Sequence, residues 1–405
     1  MTSQDLPLSQ RNNEIKDSEV PKYVGKLKGF LGHEALAKAQ ADLDKDLSHH
    51  GRCYRNWAQK LRPWLFAFRM YDQETKNGIC IPKKWPIEIR EMVGDALMIS
   101  SLHHSMLEDV KAKYRKDLLT DQHNDFMAEI HAAWQYYLQG FDVQWSPLGQ
   151  DSCPEFRVCG GGLDFNVECR RFTWDLSEHV KTPALADACD MIYEVLRNHN
   201  LWGEVRVEFI TDFRSDPGRI HQWSEILARA LDASQTTIEL DPSVRLTLEL
   251  KAAPSRTYEL EELDALARDQ QHPARSFLLC RQEGKLSFDP VVFRCYGPRK
   301  TSKQLRDYIY KTLKGKVTTQ LSPDRAGVIV VRFNGIRDPH VFNESKGISD
   351  ALSKLFERQH LAAVVMQCEG IAESSTGSIL YSTPSVVFRN PVTAFPNVAV
   401  AKHLS

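Results

Sequence analysis

Apolar residues recur at helical spacing through most of the first 118 positions. Residues 33–49 alternate alanine and leucine with charge and predict a helix that Gly51 interrupts. A second helix is predicted over 52–71, where Trp57, Leu61, Trp64, Leu65 and Phe68 share one stripe. Pro63 lies inside it and is expected to kink or split it, because proline lacks the amide a helix interior needs. Lys76–Pro86, with Gly78 and Pro82, reads as a loop, and 87–116 read as helix again. Residues 1–118 therefore form a predicted α-helical N-terminal region.

The period then changes. Residues 121–139 are helical, with Phe126, Ile130, Trp134 and Tyr137 on one face and Gly140 as the stop. FDVQW (141–145), PEFRV (154–158) and LDFNVECRRF (163–172) each alternate apolar with polar residues, as half-buried strands do. CGGG (159–162) is a tight turn. A helix over 183–198 and a strand over 203–210 complete the order αβββαβ, placed in a unit spanning 119–215. Residues 216–405 are expected to be a C-terminal α/β extension, with helices at 219–232, 302–313 and 346–358 and strands at 236–240, 244–251, 327–333 and 362–368. The predicted class is α/β, with a mixed sheet of α+β character.

Composition supports a folded chain: 42% of residues are hydrophobic and 26% charged. The net charge of −1 does not by itself announce a nucleic-acid partner. Nine scattered cysteines with no CxxC pair argue against a zinc ribbon, and they read as free thiols of a reducing compartment. The sequence MTSQDLPLSQRNN has no basic stretch leading into an apolar run, and no segment approaches a membrane span. A cytoplasmic protein without membrane association is expected; a homo-oligomer is compatible with the sequence.

Candidate chemistry lies on DFNVECRR (164–171). Phe165, Val167 and Cys169 point one way; Asp164, Asn166, Glu168 and Arg170 point the other. The glycine hairpin places Glu155 across from Glu168, so two carboxylates can reach one divalent ion. Glu129, beside Phe126 and Ala133 on the helical wheel, adds a third at the edge of the buried stripe. Oxygen ligands with a cation nearby suit Mg²⁺ or Mn²⁺ and the hydrolysis of a phosphodiester. An acidic-x-basic triplet alone carries no weight, since a chain of this charge content holds roughly seven by chance. The surrounding strand, hairpin and helix give it meaning.

PEF (154–156) and VECRR (167–171), with a Glu-bearing helix upstream, resemble the PD-(D/E)XK (restriction-endonuclease-like) nucleases over about ninety residues. That resemblance implies a nuclease core, Glu129, Glu155 and Glu168 as metal ligands, and Arg170 in the place of the catalytic lysine. Two departures stand out: Glu155 replaces the usual Asp, and Arg170 replaces Lys. Arginine can hold a phosphate but stays protonated and cannot serve as a base. Asp151 and Asp164 are held as reserves for the missing aspartate.

Residues 297–316 carry seven basic residues (Arg299, Lys300, Lys303, Arg306, Lys311, Lys314 and Lys316) against Asp307 alone, a net of +6. Lys311, Lys314 and Lys316 are the candidate contacts to nucleic acid, with DNA expected over RNA. A second basic run, Arg52, Arg55, Lys60, Arg62 and Arg69, is interleaved with Tyr54, Trp57 and Trp64, whose rings fit a helix core better than base stacking. His49, His50 and Cys53 form a weak metal cluster; His103, His104, His123 and His131 suggest no role. The leading expectation is a Mg²⁺-dependent endonuclease. The alternative is a catalytically silent nuclease-fold protein that binds nucleic acid or a protein partner.

Overall fold

The computed structural model describes residues 13–48, 51–76, 85–148, 153–173, 182–211, 217–252, 275–283, 287–298, 300–334, 336, 338–375, 377–401 and 404. It is a mixed α/β protein. The chain divides into two compact units: Met1–Asp42, Leu61–Leu176 and Thr301–Ser405 form the first, and Leu43–Lys60 with Ser177–Lys300 the second. The expected division at 118 and 215 is thereby corrected. Residues 301–405 return to the first unit, and 177–300 are an excursion from it.

In the first unit a short strand β1 (Glu14–Lys16) precedes the helices Val20–Leu31, Pro63–Lys76, Ile87–Leu102, Glu108–Asp117 and His123–Leu138. The predicted helix over 52–71 is two helices, Arg52–Leu61 and Pro63–Lys76, because proline is tolerated only in a helix's first turn. The helix expected over 87–116 also breaks, between Leu102 and Glu108. Strands β2 (Asp142–Trp145), β3 (Phe156–Gly160) and β4 (Leu163–Thr173) then form an antiparallel meander.

The chain next builds the second unit. Its strands are β5 (Leu201–Phe209), β6 (Thr237–Asp241), β7 (Val244–Ala252), β8 (Arg275–Glu283) and β9 (Ser287–Tyr296), in sheet order β6-β7-β5-β9-β8. Helices Thr182–Asn198 and Pro217–Asp232 supply Leu185, Cys189, Ile192, Leu196, Trp223 and Leu227 to a core shared with Val205, Val207 and Phe293. Asp190 accepts the backbone amides of Cys53 (2.7 Å) and Tyr54 (3.0 Å), capping the helix Arg52–Leu61. The helix and strand expected to complete the αβββαβ order thus exist as elements but belong to this other sheet.

Back in the first unit, the helix Ser302–Thr319 leads into β10 (Ala326–Asn334), which pairs parallel to β4 in register Val328↔Val167. The helix Lys346–Leu355 crosses to β11 (Leu361–Gln367), parallel to β10. β12 (Ile371–Ser375) and β13 (Ser378–Ser382) join β1 in a small antiparallel sheet, and β14 (Ser385–Arg389) closes the large one. The large sheet runs β14-β11-β10-β4-β3-β2.

Both faces of that sheet are covered. Tyr136 of the helix His123–Leu138 packs its ring on Phe156 and Phe165 on one face. Ile309, Leu313 and Val317 of Ser302–Thr319 pack with Ile329, Val331, Phe333 and Phe172 on the other. Double coverage explains why β11 is buried at every position and reads as a continuous apolar run. Among the described residues no helix is long and apolar enough to cross a membrane.

Candidate active site

The β3–β4 hairpin turns at Gly161 and Gly162, whose φ values of +57° and +80° suit glycine at both central positions of a two-residue turn. This turn sets the register Phe156↔Val167. One step further along, just before β3 begins, Glu155 stands opposite Glu168. The Glu155 carbonyl accepts the Ser146 amide at 3.1 Å, which continues the pairing beyond the end of β2.

Glu168 lies on the face covered by Ser302–Thr319 and is fully buried. The Lys316 ammonium of that helix stands 2.5 Å from its Oε1. The same ammonium donates to Gln320 Oε1 at 2.8 Å, and among the described residues neither Glu168 oxygen has an aligned hydrogen-bond donor. Burial, then the neighbouring Glu155 charge, push the Glu168 carboxyl up to about 8, against the opposing pull of Lys316 and Arg170. Burial also raises Glu155, with Lys316 and Lys113 acting against it.

Glu129 comes from the helix His123–Leu138, seven residues before Tyr136 and so on the same sheet-facing side. The buried Tyr114 hydroxyl donates to Glu129 Oε2 in a short hydrogen bond. Burial holds Glu129 well above the usual carboxylate range, and the charges of Glu155 and, more weakly, Glu168 add to it. Three carboxylates from a helix, a strand start and a central strand thus share one electrostatic neighbourhood, with Lys113 and Lys316 as its cations.

They do not form a closed coordination shell. Among the described residues no three His, Cys, Asp or Glu side chains lie close enough to hold a metal ion. The donor chemistry nevertheless fits a hard divalent cation. All three groups are carboxylates, and Glu155 raises the proton affinity of the other two.

The remaining expectations separate. Arg170 is exposed, two residues beyond Glu168. Lys311 and Lys314 are exposed on the outer side of their helix, Lys314 lying over the Tyr310 ring. Lys316 is turned inward, so its grouping with the other two as a surface contact is corrected. The sequence held the signal: Lys316 is seven residues from Ile309 and three from Leu313, in phase with the buried stripe. Tyr114 and Lys113 were likewise missed, although they follow Val110 by four and three positions on a helix whose buried residues are Val110 and Tyr114.

Asp164 is no reserve ligand. Arg157 grips it with two bonds of 2.7 and 2.6 Å, and Arg325 adds a third contact at 3.3 Å. Asp151, His49, His50 and Arg299 lie outside the described residues. In the second basic run, Arg62 pairs with Asp121 at 2.5 Å, Arg52 donates to the Tyr193 hydroxyl, and Trp64 is core. No family model matches the chain, and no curated protein matches it.

Proposed function

We propose that the first unit is a Mg²⁺- or Mn²⁺-dependent nuclease acting on phosphodiester bonds, with DNA as the expected substrate. One observation carries the reading: Glu155 and Glu168 act on each other beside Lys316, and Glu129, on the helix over the other face, is raised by the charges of both, each on the element the PD-(D/E)XK resemblance requires. The supporting topology is a helix, three antiparallel strands, a crossing helix and a parallel strand, completed by Ser302–Thr319 and β10.

Glu155 and Glu168 would hold the cation, with Glu129 at its rim. When bound, the ion supplies Lewis-acid polarisation of a phosphate oxygen and acidifies a water. Lys316 offsets the Glu168 charge and, once that carboxylate turns to a cation, can face a phosphate oxygen. Tyr114 fixes Glu129 Oε2, leaving Oε1 to exchange a proton with solvent or substrate. Exposed Arg170 can place a forked donor pair on a phosphate. The free thiols among the described residues fit a reducing compartment, and the cytoplasm is the proposed location.

A second reading has its own observation. The Lys316 ammonium already balances Glu168, as it would in a silent nuclease-fold protein that binds nucleic acid or a protein partner. Incubation with single- and double-stranded DNA and RNA, with Mg²⁺, Mn²⁺ or chelator, separates the two. Metal-dependent cleavage that Glu168→Ala abolishes supports the nuclease. Nucleic-acid binding without cleavage supports the silent protein. Cleavage in chelator, or cleavage surviving Glu168→Ala, sinks the proposed site.

A further inference from the structure

The helix Glu108–Asp117 is anchored at the end of the large sheet where Glu155 leads into β3. Asp109 Oδ2 accepts the Leu148 amide, just past β2, at 3.0 Å. The buried Tyr114 ring packs edge-on against Trp145, the last residue of β2, and its hydroxyl donates to Glu129. Trp145 pairs with Phe156, and the bond from the Ser146 amide to the Glu155 carbonyl is the next step of that ladder. The helix therefore stands beside two of the three candidate ligands.

Its outer side is cationic. Helical phase turns Val110 and Tyr114 inward, which leaves Lys113 and Arg115 on the two flanks and Lys116 outward. All three are exposed. Lys113 lies over the Phe126 ring at 4.9 Å, one turn from Glu129. Arg115 lies over the Phe30 ring of Val20–Leu31 at 5.3 Å. Among the described residues none of the three cations has a carboxylate within ion-pair distance, whereas Lys111 is paired with Glu108 at 2.7 Å. Lys26 extends this surface onto Val20–Leu31: burial, then the charges of His103, Lys111 and Lys26, hold the His104 imidazole below its usual range.

The helix dipole favours acids in the first turn and cations in the last, which accounts for Glu108 and Asp109 preceding Arg115 and Lys116. It gives no reason for unpaired cations to reach back to Lys113 and across to Lys26. Lys113 also faces the candidate site. It acts on Glu155 from the layer of His123–Leu138, while Lys316 acts on the same carboxylate from the helix over the opposite face.

We propose that Lys113, Arg115 and Lys116, continued by Lys26, bind the sugar-phosphate backbone of duplex nucleic acid on the side of the candidate site opposite Lys311 and Lys314. The inference rests on the nuclease reading for its substrate class. A strand presented to Glu155 and Glu168 must be held on both sides of the bond being cut, and Lys311 and Lys314 supply one side alone. Exposed ammonium and guanidinium groups without partners engage phosphates by charge and read no base, so this surface is indifferent to sequence.

Duplex DNA binding in chelator, followed by fluorescence anisotropy across a salt series, tests it. Replacing Lys113, Arg115 and Lys116 together by Ala should flatten the log–log slope by about 2.7, at about 0.9 for each phosphate contact, and weaken binding at about 0.1 M salt by tenfold or more. Adding Lys26→Ala should flatten it further. The exchange Lys113→Arg, Arg115→Lys and Lys116→Arg keeps every charge and should keep the slope. An unchanged slope in the alanine variant, or an equal loss in the charge-preserving one, overturns the proposal. Cleavage by wild type together with an unchanged slope would remove this surface and leave the nuclease reading standing. Binding that depends on these residues, with no cleavage on any substrate, would keep the surface and sink the nuclease. Absence of duplex binding by wild type overturns both.

Discussion

Replacing Glu168 by Gln tests whether burial or Lys316 controls this carboxyl. Burial and Glu155 raise it from 4.5 to about 8. The folded state then keeps a proton that the unfolded chain releases above pH 4.5. For a raised acid the stabilising contribution is complete below the unfolded value and is lost as pH climbs through the folded one. Each pH unit in that window costs about 1.4 kcal/mol, so wild type should lose up to about 5 kcal/mol relative to its own acid form between pH 4.5 and 8. Glu168→Gln mimics the protonated carboxyl and carries no such dependence. The wild-type-minus-variant difference should therefore fall steadily across the window and flatten above it. Hydrogen exchange at the β4 amides of Val167, Glu168 and Cys169 is the suitable assay, because it reads the first unit alone, whereas bulk unfolding would mix two units. A difference that stays flat, or that grows in favour of wild type as pH rises, would mean that Lys316 holds Glu168 ionised and that the burial argument is wrong.

Three further outcomes follow from the same geometry. In the cleavage assay Lys316→Ala should lose about a hundredfold or more in rate, the scale for removing a charged donor from a preorganised site, and Arg170→Lys should retain part of the activity. Calorimetric Mg²⁺ affinity should rise with pH up to about 8, with protons released on binding, and Glu168→Gln should reduce that release, leaving the share of Glu129 and Glu155. In chelator, replacing Lys311 and Lys314 by Ala should flatten the salt dependence of duplex binding by about two in the log–log slope, whereas Lys316→Ala should change it less because its ammonium is turned inward against Glu168.

Much of the site was legible in the sequence because it depends on local rules. Side-chain alternation assigned Glu168 to the face opposite Phe165 and Val167, and consecutive glycines announced a hairpin whose register sets Glu155 against Glu168. Helical periodicity put Glu129 at the edge of a buried stripe. None of these needs a partner outside its own segment. Which helix and strand complete the sheet is another matter. Thr182–Asn198 with β5 has the right pattern and follows directly, yet β4 pairs with β10, Phe165 lying opposite Ala326. Periodicity records that a strand is buried on both faces, but any apolar strand satisfies it, and the choice among them belongs to packing of the whole unit. The same holds for Lys316: its phase on the helix was visible, but its role exists only because that helix lies over β4 and brings the ammonium to a carboxylate 148 positions away in the chain.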